Sequence, residues 1–114
     1  VIDDHPDGAD ATAQLLAMHG HETRAVETCS AARAAVSGVA PFVPDVVFMD
    51  VRLPDGDGFS LVAELCRLLP TRPVLIALTG LPGLADRCRA AGFDGYVLKP
   101  ADPAALAALV EGFA

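Results

Sequence analysis

The chain has 114 residues and a mass of 11.7 kDa, with 53% hydrophobic and 20% charged residues. That suits one domain around one core and excludes both a two-domain chain and a disordered segment. The net charge of -7 repels a phosphate backbone, which argues against nucleic-acid binding by this domain.

Val1-Ile2 reads as the tail of a strand whose beginning is missing, and Asp3 and Asp4 follow where a signal peptide would need an apolar run. Pro6 suits the first turn of a helix. Thr12, Leu15, Leu16 and His19 then recur with helical spacing up to a stop at Gly20. Thr23 to Val26 reads as a short, partly polar edge strand. Ser30 is the expected cap of a second helix running through Ala31, Ala35 and Val36 to Gly38. Val46 to Met49 is an apolar strand ending on Asp50. A glycine-rich acidic loop follows it, then a helix carrying Leu61, Val62, Leu65 and Leu69. Val74 to Leu78 is a buried strand ending on Thr79, Leu84 to Ala91 a short helix stopped by Gly92, and Tyr96 to Leu98 a last strand ending on Lys99. Pro103 opens the final helix. The longest apolar runs, Ala104 to Val110 and Val74 to Leu78, are far shorter than the ~20 residues of a membrane span.

Five strands thus alternate with five helices, and the central strands are apolar throughout. This pattern predicts a doubly wound α/β fold, a parallel sheet with helices on both faces in three layers. Ligands in such sheets bind beyond the carboxyl ends of the strands. Those ends carry Asp3, Asp4, Asp50, Thr79 and Lys99, the chain's single lysine. Three converging carboxylates repel one another unless cations sit among them. Lys99 supplies one charge, and a divalent ion with oxygen ligands, magnesium above all, suits the rest. A carboxylate nucleophile, a hydroxyl donor and a lysine together point to phosphoryl transfer onto an aspartate.

Ile2-Asp3-Asp4, the stretch Met49 to Gly58, Leu78-Thr79-Gly80 and Leu98-Lys99-Pro100 resemble the receiver domain of two-component response regulators, in order, over essentially the whole chain. The resemblance implies a flavodoxin-like five-stranded sheet of order 2-1-3-4-5. It also implies that Asp50 accepts a phosphoryl group from the phosphohistidine of a histidine kinase or a phosphotransfer domain, the receiver catalysing its own phosphorylation and autodephosphorylation. Asp4 and Asp50 would then bind Mg2+ directly, Asp3 through water, and the Arg52 carbonyl would complete the protein ligands. Thr79 and Lys99 would bind the phosphoryl oxygens, Thr79 and Tyr96 would form the switch, and the Lys99-Pro100 bond would be cis. A face built of the fourth helix, fifth strand and fifth helix would carry the output and can serve a homodimer. Gly20-His21-Glu22, Ala91 to Asp94 and Asp102-Pro103 resemble receivers of hybrid sensor histidine kinases, so a tethered kinase or output domain is expected. Against the family, the first strand is short and the last helix ends early at Ala114, as in a trimmed receiver domain over residues 1–114.

Other residues carry plainer expectations. Arg52 stands at a position variable in the family, either in solvent or over the site mouth. His5 reads as a solvated rim residue, because magnesium prefers oxygen. His19 and His21 suit a helix end without ligand geometry. Asp55 and Asp57 cap and solvate the acidic loop. Cys29, Cys66 and Cys88 show no disulfide or zinc spacing and imply reduced thiols in a cytoplasmic setting. A phosphorylation-independent pseudo-receiver is the alternative function. A haloacid-dehalogenase-like phosphatase would need Asp-x-Asp-x-Thr after the first strand, where Asp3-Asp4-His5-Pro6-Asp7 stands. A flavodoxin-like FMN carrier would need a phosphate loop rich in Ser and Thr at the same turn, and an acidic loop repels phosphate.

Overall fold

The computed structural model describes residues 1–113; the expected early end at Ala114 lies outside them. Its elements in chain order are α1 (Pro6–Met18), α2 (Cys29–Ala35), β1 (Val46–Asp50), β2 (Arg52–Leu53), β3 (Gly56–Asp57), α3 (Gly58–Leu68), β4 (Val74–Thr79), α4 (Ala85–Ala91), β5 (Gly95–Leu98) and α5 (Pro103–Phe113). β1, β4 and β5 form a parallel sheet in that order. Apolar side chains alternate between its faces. Val47, Met49, Leu75 and Ala77 join one core cluster with Leu61, Val62, Leu65 and Cys88 from α3 and α4. Phe48, Ile76 and Leu78 join the other, with Leu16 of α1 and Leu106 of α5. Burial on both faces is what continuous apolar strands require, and the result is the expected three-layer, doubly wound α/β fold.

Two of the five expected strands are reduced to isolated bridges. Ile2 pairs in parallel with Met49 on one side and with Val26 on the other. The Ile2 amide donates to Phe48 O (2.7 Å), and the amides of Asp50 and Asp3 donate to Ile2 O and Val26 O (2.8 and 3.0 Å). Val1-Ile2 is too short to extend this ladder. In the stretch from Thr23 to Val26, the Thr23 hydroxyl turns to the carbonyl of Ala13 on α1 (3.2 Å). The acidic loop, in turn, contains an antiparallel hairpin, with Arg52 opposite Asp57 and Leu53 opposite Gly56.

The second helix is capped by Thr28, not Ser30, and its last helical residue is Ala35 rather than a residue near Gly38. Its first three amides are all satisfied. Asp55 accepts from Cys29 N (2.8 Å) and Ser30 N (2.9 Å), and the Thr28 hydroxyl accepts from Ala31 N (3.0 Å). Asp55 therefore ties the hairpin to α2, a long-range role in place of the local one expected. Asp57 caps α3 by accepting from Ser60 N at 2.8 Å. Gly92, at φ +113°, closes α4 as expected. Among the described residues no helix is long and apolar enough to cross a membrane.

Candidate functional site

The parallel register brings the strand ends level. Asp50 lies opposite Leu78, and Thr79 opposite Leu98. Lys99 follows directly, its amide donating to Thr79 O at 2.7 Å. The backbone bonds at Ile2 set Asp3 beside Asp50. Gly58 closes the hairpin against β1, where a Cβ would stand 2.7 Å from the Asp50 carbonyl oxygen. Only a residue without a side chain allows that approach.

Asp3, Asp50 and Thr79 are buried, with 5%, 6% and 2% of their surfaces exposed. The Lys99 Nζ donates to Asp3 Oδ2 at 2.8 Å and to Asp50 Oδ2 at 2.9 Å. Asp50 Oδ1 accepts from the Arg52 amide at 3.0 Å. The Lys99-Pro100 bond is cis. Burial disfavours the charge on Asp3, but hydrogen bonds from Lys99 and His5 outweigh it and hold the Asp3 pKa below its ordinary value. Burial likewise opposes the Lys99 charge, and the two carboxylates outweigh it, so the Lys99 pKa is raised. Asp3 and Lys99 are therefore both charged at neutral pH.

Asp3, Asp4, His5 and Asp50 each offer one ligand atom, all within 4.8 Å of one another. Such a set, dominated by carboxylate oxygens, can hold a divalent cation. His5 stands at the exposed rim, as expected, and also touches the carboxylates. Its ring is 73% exposed, yet Nδ1 lies 3.1 Å from both Asp3 Oδ1 and Asp4 Oδ1. Its amide also donates to Asp3 Oδ1 (3.0 Å), a turn that an aspartate two residues upstream permits. Arg52 reaches the site by its backbone amide, while its side chain is exposed. His19 and His21 both turn to Glu111 of α5, with ring nitrogens 3.9 and 2.9 Å from Oε1.

Thr79 and Tyr96 lie on adjacent strands, Tyr96 opposite Ala77. The Thr79 hydroxyl accepts from Leu81 N at 3.1 Å, and the Tyr96 hydroxyl donates to Leu81 O at 3.0 Å. Asp3, Asp4, Asp50 and Lys99 thus form one cluster, with Thr79 at its edge and Tyr96 one residue beyond.

Residues 1–111 match the response regulator receiver domain family, and the chain belongs to it. It is 35% identical over 117 residues to an uncharacterised 14.6 kDa protein of Leptolyngbya boryana, covering 99% of this chain and 86% of that protein. It is 35% identical over 113 residues to the transcriptional regulatory protein CreB of Escherichia coli, covering 97% of this chain. The chain spans 48% of CreB, about half its length. A CheY-like receiver domain protein from Methanospirillum hungatei superposes with a TM-score of 0.82 at 26% identity, covering 98% of this chain and 88% of that one. This membership in a two-component receiver family leaves no place for the phosphatase alternative.

Proposed function

We propose that the domain accepts a phosphoryl group on Asp50 from the phosphohistidine of a histidine kinase or phosphotransfer domain. The observation that carries this is the setting of Asp50. It is buried at the end of a central strand, with one oxygen on Lys99 and the other on the Arg52 amide, beside two further carboxylates. The donor set fits magnesium: Asp3, Asp4 and Asp50 supply hard oxygens within 4.8 Å of one another. Asp4 and Asp50 would hold Mg2+ directly, Asp3 through water, and the Arg52 carbonyl would complete the set. The bound ion would offset negative charge on the phosphoryl oxygens.

The chain's own residues do the rest. An Asp50 carboxylate oxygen attacks phosphorus, and the bond from phosphorus to the histidine nitrogen breaks in line. Lys99 then pairs with the phosphoryl oxygens, and Thr79 turns its hydroxyl from the Leu81 amide to donate to one of them. That rearrangement reaches Tyr96 through Leu81 and changes the face of α4, β5 and α5, where an output domain, a tethered kinase or a second copy would read it. The setting is cytoplasmic, and the unit is a receiver domain.

Acetyl phosphate tests this reading. With Mg2+ the intact mass gains one phosphoryl group, and chelation prevents the gain. An unchanged mass in the presence of magnesium rejects it in favour of a phosphorylation-independent contact module.

A further inference from the structure

His5 is the N-cap residue of α1, but its side chain makes no capping hydrogen bond. Its ring lies over the acidic pair instead. Pro6 fixes the next backbone step, and His5 itself is extended at φ -97° and ψ 94°. The bond from its amide to Asp3 Oδ1 anchors the turn. Asp3 is thereby divided. Oδ2 faces Lys99 at 2.8 Å, while Oδ1 faces the His5 ring at 3.1 Å, and the same ring nitrogen reaches Asp4 Oδ1 at 3.1 Å. Nδ1 therefore stands among the very oxygens that would hold a cation, on the side away from Lys99.

We propose that His5 is a ligand of this metal site and sets its preference, adding a nitrogen donor that favours late first-row divalent metals over magnesium. The proposal rests on the reading of the carboxylate cluster as a metal site. The carboxylate oxygens only accept, so without a metal Nδ1 carries the proton in these contacts; a cation would take its place as the ring shifts that proton to Nε2 and turns an Nδ1 lone pair to the pocket. Magnesium gains little from imidazole, whereas nickel binds it well and stands high in the order of divalent affinities. The site would thus accept magnesium through oxygen alone and nickel through oxygen and His5 together.

Calorimetric titration of the 114-residue chain with Mg2+ and with Ni2+ separately tests this. The background is His19→Ala/His21→Ala, because those rings converge on Glu111 and offer nickel a second place to bind. His5→Ala and His5→Gln are compared with the parent, and Asp4→Asn reports on the site itself. His5 is largely exposed, so both replacements leave the core intact. The expected result is a loss of about tenfold or more in nickel affinity with His5 replaced, and magnesium affinity nearly unchanged. Equal nickel affinity with and without His5 overturns the proposal. So does an equal loss for both metals, which marks a purely structural role. If neither metal binds the parent, or Asp4→Asn changes neither, the metal-site reading itself fails; magnesium binding that depends on Asp4 with nickel indifferent to His5 rejects only the role of His5.

Discussion

Thr79 and Tyr96 are joined through one residue: Leu81 donates its amide to the Thr79 hydroxyl and accepts the Tyr96 hydroxyl on its carbonyl. Moving the Thr79 hydroxyl toward a phosphoryl group on Asp50 frees the Leu81 amide and disturbs the bond that holds Tyr96. Full conversion from 1:99 to 99:1 takes about 5.5 kcal/mol, more than one such bond supplies, so partial populations are expected before phosphorylation. With beryllofluoride as phosphoryl mimic, amide NMR is expected to show changes reaching Tyr96 in wild type and stopping short of it in Thr79→Ala. Distal changes that survive in Thr79→Ala contradict the coupling.

Magnesium is expected to stabilise the fold. Lys99 offsets part of the repulsion among Asp3, Asp4 and Asp50, and a bound cation offsets more. At ~100 times its Kd, the ion adds about 2.7 kcal/mol by mass action. Thermal melts with and without Mg2+ measure it, and Asp4→Asn is expected to lose most of the shift. An equal shift in wild type and Asp4→Asn places the binding elsewhere.

Two glycine substitutions separate backbone contact from side-chain contact. A Cβ at Gly58 meets the Asp50 carbonyl oxygen at 2.7 Å and Val51 Cα at 3.0 Å, neither of which moves without shifting β1. A Cβ at Gly95 meets only the tip of Ile76 at 2.8 Å, which can turn aside. Denaturant unfolding is expected to show Gly58→Ala destabilised by about 1–3 kcal/mol and Gly95→Ala by less. The reverse order contradicts the packing described at the site.

The two central strands were legible because burial on both faces demands unbroken apolar residues, and Val46 to Met49 and Val74 to Leu78 supply them. The strand-end residues were legible for a related reason, since Asp3, Asp50, Thr79 and Lys99 each stand where an apolar run stops and Asp4 follows Asp3. The edge was not. Val1-Ile2 and Val26 pair through single bridges, whose existence depends on neighbours distant in sequence. Arg52–Leu53 and Gly56–Asp57 are too short for any periodicity to show. Thr28 and Ser30 are both competent caps, and the choice is made by Asp55, which takes the amides of Cys29 and Ser30 from 26 and 25 residues away. His5 was legible as an exposed residue at the rim, whereas its contacts with Asp3 and Asp4 depend on the turn into α1, which no spacing reveals.

Asp55 also yields a pH dependence. Hydrogen bonds from the Ser30 and Cys29 amides hold its pKa below the ordinary 3.8. A group with a depressed folded pKa stabilises the fold above its unfolded pKa, and that contribution disappears as the pH falls through the folded value. The Cys29 and Ser30 amide signals are therefore expected to stay constant down to about pH 4 and to shift together below it. In Asp55→Asn that shared transition is absent. A midpoint above the ordinary carboxylate value contradicts the assignment.

The most direct test of the account is to locate the phosphoryl group. After acetyl phosphate and Mg2+, reductive trapping of the acyl phosphate with borohydride converts the modified aspartate to homoserine, and peptide mass mapping finds it. The account predicts trapping at Asp50 alone, and none in Asp50→Asn. Trapping at Asp55 or Asp57, or equal yield in wild type and Asp50→Asn, contradicts it.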